Sequence, residues 1–179
     1  MLFAAFAFFA FAQAASARNG AQSAADAAAL AAAQDAREEL VDGLTAAIGQ
    51  GGDWLDWLDD ESPAGAGATA AAQELAAQND SALVGAAQPV TISGYPGYEV
   101  EIQTNYTVGD SIIPGTESMK AKAHAAAVIQ PRCDFAADAD PGKPVELDCG
   151  DETVNIDPED FDPDDLPDAS VMFSVHLAE

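Results

Sequence analysis

Between Leu2 and Ile48 the chain has no proline, and glycine interrupts it only at Gly20 and Gly43. One continuous helix of about 70 Å is therefore predicted. Its first part, Leu2 to Ala15, is apolar apart from Gln13. As a helix this run covers about 21 Å, against a hydrocarbon core of about 30 Å. It is expected to be the transmembrane part, over about residues 1–16. Because the run begins at the initiator Met, a start further upstream is also expected. In the second part, Leu30, Ala33, Leu40, Val41, Leu44 and Ile48 project to one side at about 100° per residue. Asp35, Glu38, Glu39 and Asp42 project to the other, as a wet acidic face. Between the two parts stand Asn19, Gln22, Ser23 and Asp26, spaced i, i+3, i+4 and i+7, on the same side as the later apolar stripe.

The period then changes. The stretch GQGGDWLDWLDDESPAGAGA, residues 49–68, ends the helix with its glycines and reads as a linker. Within it Trp54, Leu55, Trp57 and Leu58 form a short apolar turn, expected to anchor on the core. A second helix is predicted from Thr69 to Asn79. In YEVEIQTNYTV, Val100, Ile102, Thr104, Tyr106 and Val108 alternate with polar residues, the pattern of a half-buried strand. GDSIIPGTE reads as a turn or hairpin loop. In KAKAHAAAVIQ, Lys120, Lys122 and His124 alternate with alanines, so this Ala-rich run is read as a returning strand despite its helix propensity. VMFSVHLA, with Val171, Phe173, Val175 and Leu177 on one face, is the last strand. With Pro89 to Ile92 these segments make a small antiparallel sheet. The fold class expected is α+β, with a long N-terminal helix followed by a small head.

Charge narrows the partners. The chain of 179 residues carries 31 Asp and Glu against six Lys and Arg, a net charge of −25. Nucleic acid and anionic lipid headgroups are electrostatically unfavourable partners for it. Many of the acids lie between Cys133 and Ala169, including DETVNIDPEDFDPDDLPD, which lacks the Gly and Glu positions of an EF-hand loop and reads as a solvated excursion. Cys133 and Cys149 have no further Cys or His in ligand spacing, which favours a disulfide over zinc and places the head in an oxidising compartment. The histidines, His124 and His176, sit in no catalytic motif, so no enzyme activity, cofactor or metal site is expected.

Arg18, Gln22 and the run AADAAALAAA, with Asp26 as its acid, make ARNGAQSAADAAALAAAQDA resemble the N-terminal signature of Flp or Tad pilus-assembly TadE/TadG-like proteins of the actinobacterial type. YEVEIQTNYTV, the Ala-rich strand before Cys133 and the terminal SVHLAE are similar to that family more loosely. The resemblance implies a non-enzymatic minor pilin or pseudopilin, single-pass, with its head outside the cytoplasm and other pilus subunits as partners. No Glu occurs before Glu38, so processing by a prepilin peptidase is not carried over. Arg18, Gln22, Ser23, Asp26 and Leu30 are the expected helix-packing interface, since small residues admit close approach and polar ones bond between helices. The expected organisation is a helix over 1–48, a linker over 49–68 and an extracytoplasmic head over 69–179. The alternative is a secreted or surface-tethered binding domain whose N-terminus, ending in AQAASA, is a signal segment.

Overall fold

The computed structural model describes residues 2–50, 53–59, 65–108 and 118–178. The expected loop at 109–117 and the parts of the linker at 51–52 and 60–64 lie outside the described residues. Helix α1 runs Leu2–Gly49, a short α2 Asp56–Asp59, and α3 Ala68–Gln78. Among the described residues seven strands follow: β1 Ser81–Leu83, β2 Gln88–Ile92, β3 Tyr95–Thr107, β4 Lys120–Pro131, β5 Val145–Asp148, β6 Thr153–Ile156 and β7 Phe173–Leu177. A helical turn, α4 Ala169–Met172, precedes β7. The α+β class expected from the alternating periods is the one observed.

The main sheet is antiparallel in the order β1-β3-β4-β7, with β2 pairing β3 on the side that β1 also uses. Tyr98, Val100 and Ile102 of β3 stand opposite Ala127, Ala125 and Ala123 of β4. Alternation puts these side chains on one face, and α1 packs across it while also touching α3 and β7. The alanines of KAKAHAAAVIQ are therefore the floor on which α1 lies. Their small side chains let helix and sheet backbones come close, which explains why a run with high helix propensity settles as a strand: the tertiary contact outweighs the local preference.

Apart from Ala31, the buried positions of α1 follow two four-residue ladders. One is Ala17, Ala21, Ala25, Ala29 and Ala33; the other is Ala24, Ala28, Ala32, Ala36, Leu40, Leu44 and Ile48, all buried. A step of four residues overshoots a full turn by about 40°, so the buried direction winds round the helix along its i+4 ridges. From Ala24 to Ile48 it rotates by about 240°. The α1 alanines share one core with β3, β4 and the buried Ala68, Ala72 and Ala76 of α3, and further along Leu40, Leu44 and Ile48 belong to it together with Trp54 and Leu58. Trp54 is fully buried and its indole N–H donates to the Pro141 carbonyl at 2.9 Å, so the tryptophan turn anchors on the core as expected.

Three sequence expectations are corrected. The acidic excursion after Cys133 contains the β5–β6 hairpin, whose Val145, Leu147, Val154 and Ile156 are buried. The alternation VELD…TVNI carries that hairpin, and the surrounding acids hid it. The last strand begins at Phe173, because Val171 and Met172 belong to α4, where the Asp168 carboxylate caps the Ser170 N–H at 2.9 Å. Finally, no helix among the described residues is long and apolar enough to cross a membrane.

Cys133 and Cys149 form the expected disulfide, S–S 2.00 Å, both buried. Asp134 and Asp148 beside it exchange backbone hydrogen bonds of 2.8 and 2.9 Å, so the bridge ties the end of β4 to β5. Replacing both cysteines by serine is expected to lower the unfolding free energy by about 3 kcal/mol, from the loop closed by the bridge; urea titration of the two chains measures it. Ala32→Leu is expected to cost about 1–3 kcal/mol by overpacking the core under α1, readable in the same titration.

Candidate partner-facing surface of the N-terminal helix

Before Ala17 the described side chains of α1 lie almost entirely in solvent. Phe8, Phe9 and Phe11 are 78%, 59% and 79% exposed, although burying such side chains is worth about 1.5–3 kcal/mol each. Ala12, Ala14 and Ala15 are exposed as well. The helix thus projects an apolar end beyond the sheet, and that end is uncovered by this chain among the described residues.

The surface continues into the head without a break. Phe8, Ala12, Ala15, Asn19, Gln22, Ser23 and Asp26 fall within one side of the helix at its standard turn. Asn19, Gln22 and Ser23 are exposed and Asp26 is half-buried, while the opposite, alanine side is buried at Ala17, Ala21, Ala24 and Ala28. The projection that put the polar quartet on the side of the later apolar stripe holds in angle. The quartet nevertheless faces solvent, because the covered side rotates along the helix. Gln22 uses its amide to donate to Asp26 Oδ1 at 2.7 Å and to the His124 carbonyl at 3.3 Å. It pins the strip to β4 and orients the Asp26 carboxylate. Arg18 is exposed, and Leu30 is half-buried against the core at the far end of the strip. Of the five expected interface residues, Gln22 and Asp26 touch each other through a side-chain hydrogen bond.

Where the strip meets the sheet, Tyr106 lies across Gly20. A Cβ at Gly20 would collide with the Tyr106 hydroxyl oxygen, so this glycine admits the ring. Nothing in the local sequence links these two residues; the contact follows from β3 running alongside α1.

Two acids expected on the wet face turn towards the start of α3 instead. Glu39 reaches the start of α3 and accepts N–H groups from Gly65 at 2.7 Å, Ala66 at 3.0 Å and Gly67 at 3.2 Å. The α3 N-cap, Gly67, has no side chain of its own to offer, so a neighbouring helix supplies the capping carboxylate. Gly65, at φ +134°, gives the loop the turn that brings these donors together. The backbone bonds, from Ala66 foremost, hold the Glu39 pKa below the usual carboxylate range. One turn earlier, Asp35 packs against Gly67 with Oδ2 buried and unpartnered, and burial, then Glu39 and Glu38, push its pKa up. Glu38 and Asp42 remain exposed, as expected of a wet face.

His124 and His176 lie on the outer face of the sheet, away from α1; His176 pairs with Val128, four residues along β4 from His124. Among the described residues no three His, Cys, Asp or Glu side chains converge on a metal position.

Residues 1–35 match the family model described as putative Flp pilus-assembly TadE/G-like. The resemblance carried by Arg18, Gln22, Asp26 and the alanine run is thus shown over that segment, and the family's description puts its members in Flp pilus assembly. No curated protein matches the chain, and no solved structure does.

Opposite pH effects are expected of the two carboxylates. Glu39 has a depressed folded-state pKa, so its contribution is present above its unfolded pKa and is lost as pH falls through the folded value. Glu39→Gln should therefore cost about 1 kcal/mol at pH 7 and little in strong acid. Asp35 has a raised folded-state pKa, so its favourable contribution is present below its unfolded pKa and lost as pH rises through the folded one. Asp35→Asn should raise the melting temperature at pH 7, with the gain vanishing in acid; thermal melts across pH check both signs.

Proposed function

We propose that this chain is a non-enzymatic, membrane-associated component of Flp/Tad-type pilus assembly, of the minor pilin or pseudopilin kind. The single observation carrying this reading is the largely exposed side of α1 from Phe8 to Asp26, coincident with the segment that matches the TadE/G-like model. The exposed phenylalanines favour hydrocarbon or another apolar helix over water. Beyond them the polar strip is suited to a neighbouring subunit: small residues allow close approach, and Arg18 of one helix offers Asp26 of another a charge-assisted hydrogen bond. The head, closed by the Cys133–Cys149 disulfide, belongs outside the cytoplasm, where such a bond persists.

In this role α1 does two jobs with one helix. Its alanine ladders hold the head, and its other side is left for partners. The partners are other pilin-like or pilus-assembly subunits together with the membrane, and no cofactor takes part. The residues assigned to the subunit contact are Arg18, Gln22, Ser23, Asp26 and Leu30.

Two sets of variants separate the parts of this reading. Arg18→Leu and Asp26→Leu, each made alone, should reduce co-purification with the other pilus components at least tenfold while leaving the head folded. Phe8→Ser combined with Phe11→Ser should release the protein from the membrane fraction on flotation. Complexes unchanged by the first pair would sink the subunit contact, and retention in membranes by the second would sink the apolar anchor.

A further inference from the structure

Helix α1 and strand β3 run in opposite directions. Tyr106 lies across Gly20 at one end of their contact, and Tyr98 meets Gly65 beside Ala36 at the other. The end of the β3–β4 hairpin therefore points the same way as the projecting apolar end of α1. Gln22 is bonded to the His124 carbonyl. From His124 to Lys120, β4 covers about 13 Å, which α1 climbs in about nine residues. Lys120, paired with Thr107, thus stands level with the turns just before Gly20, Arg18 among them.

This end differs from the rest of the head in apolar exposure and in charge. Seven large apolar side chains are exposed among the described residues, and five of them are here: Phe8, Phe9 and Phe11, with Tyr106 and Met119 at 40% and 54%. No acid precedes Asp26, and none lies between Ser118 and Cys133. Arg18, Lys120 and Lys122 are three of the six basic residues of the chain. Lys122 is paired with Glu101 at 2.8 Å, while Arg18 and Lys120 are exposed and make no ion pair among the described residues. The acids nearest to Lys120 in sequence, Asp110 and Glu117, belong to residues 109–117, outside the described ones.

Most of the negative charge is elsewhere. The excursion between Cys133 and Ala169, with nearly half of the 31 acids, leaves the sheet where β4 ends and returns where Phe173 pairs with Pro131. Strand β4 is about 36 Å long, several times the screening length of about 8 Å at physiological salt. The net charge of −25 therefore does not govern what the hairpin end meets.

We propose that the hairpin end of the head rests in the phospholipid headgroup layer, with Arg18 and Lys120 on lipid phosphates and Tyr106 and Met119 among the headgroups. The proposal rests on the reading of α1 as the anchor and adds what the head does beside it. Tyrosine, with an apolar ring and a polar tip, suits the membrane interface. Lysine and arginine lay apolar stems along such a surface while keeping their charge at the phosphates. The contact holds the sheet upright over the anchor. The strip from Asn19 to Asp26 then faces sideways, where a neighbour anchored in the same membrane meets it.

The full chain in liposomes of phosphatidylcholine and phosphatidylglycerol, with a spin label on a fraction of the headgroups, tests it. With the native disulfide intact, Met119→Cys and, separately, Glu146→Cys each add one thiol for a fluorescent dye, at the near and far ends of the head. The dye at 119 should be strongly quenched and the dye at 146 should not. Adding Arg18→Gln and Lys120→Gln should shift the head off the surface by about fivefold for each charge removed. That shift is read as lost quenching at 119 with flotation and circular dichroism unchanged, whereas Lys143→Gln, at the far end, should change nothing. A chain that fails to float with the liposomes would overturn the anchor and this contact together. A chain that floats with equal quenching at the two positions, or with quenching at 119 indifferent to the loss of Arg18 and Lys120, would overturn the head contact alone.

Discussion

The structure depends on close contact between two alanine surfaces: the ladders of α1 and the inner face of β4. Large side chains at these positions would hold helix and sheet apart, and the contact would lose the many short-range attractions that dense packing supplies. Alanine gains little per residue from burial, so the contact must be long, and the two overlapping ladders of α1 keep it buried from Ala17 to Ile48. The larger anchors sit where the helix leaves the alanine floor, at Leu40, Leu44 and Ile48 with Trp54 and Leu58.

That arrangement explains why the polar groups of α1 divide as they do. As the buried direction turns with the i+4 ridge, the exposed direction turns with it. Near Gln22 and Asp26 the open side is the one continuous with Phe8, so the projecting apolar end and the polar strip form one surface. Further along, the open side has moved to Glu38 and Asp42, while Asp35 and Glu39 have swung in against α3. A single helix thereby offers a partner surface at one end and a capping carboxylate at the other.

The head is held by constraints spread over its length. Glu39 fixes the start of α3, Trp54 ties the linker to Pro141, and the Cys133–Cys149 bridge joins β4 to the β5–β6 hairpin. These contacts lie towards the far end of the head from Gly20 and Tyr106. The end beside the projecting helix relies on the pairing of β3 with β4 and on the Gln22 bond to the His124 carbonyl. An N-terminal segment of the TadE/G-like kind thus carries a head whose strongest ties are remote from the segment itself.

What the sequence determined by itself was the kind of element at each place, because the signal is local. The absence of proline before Ile48 made the helix, and the two-residue alternation made β3 and β4, the latter even against the helix propensity of its alanines. The charge balance and the cysteine pair belonged to the same local reading. Only the tertiary structure decided which side of α1 is covered at each point, since a projection at constant angle cannot follow a buried direction that rotates by about 240° along an i+4 ridge. It likewise decided that Glu39 caps α3, that Tyr106 rests on Gly20, and that a hairpin lies within the acidic excursion, because each depends on segments distant in the chain. The strip from Arg18 to Leu30 was legible as residues; its freedom to meet a partner was settled by where the sheet lies.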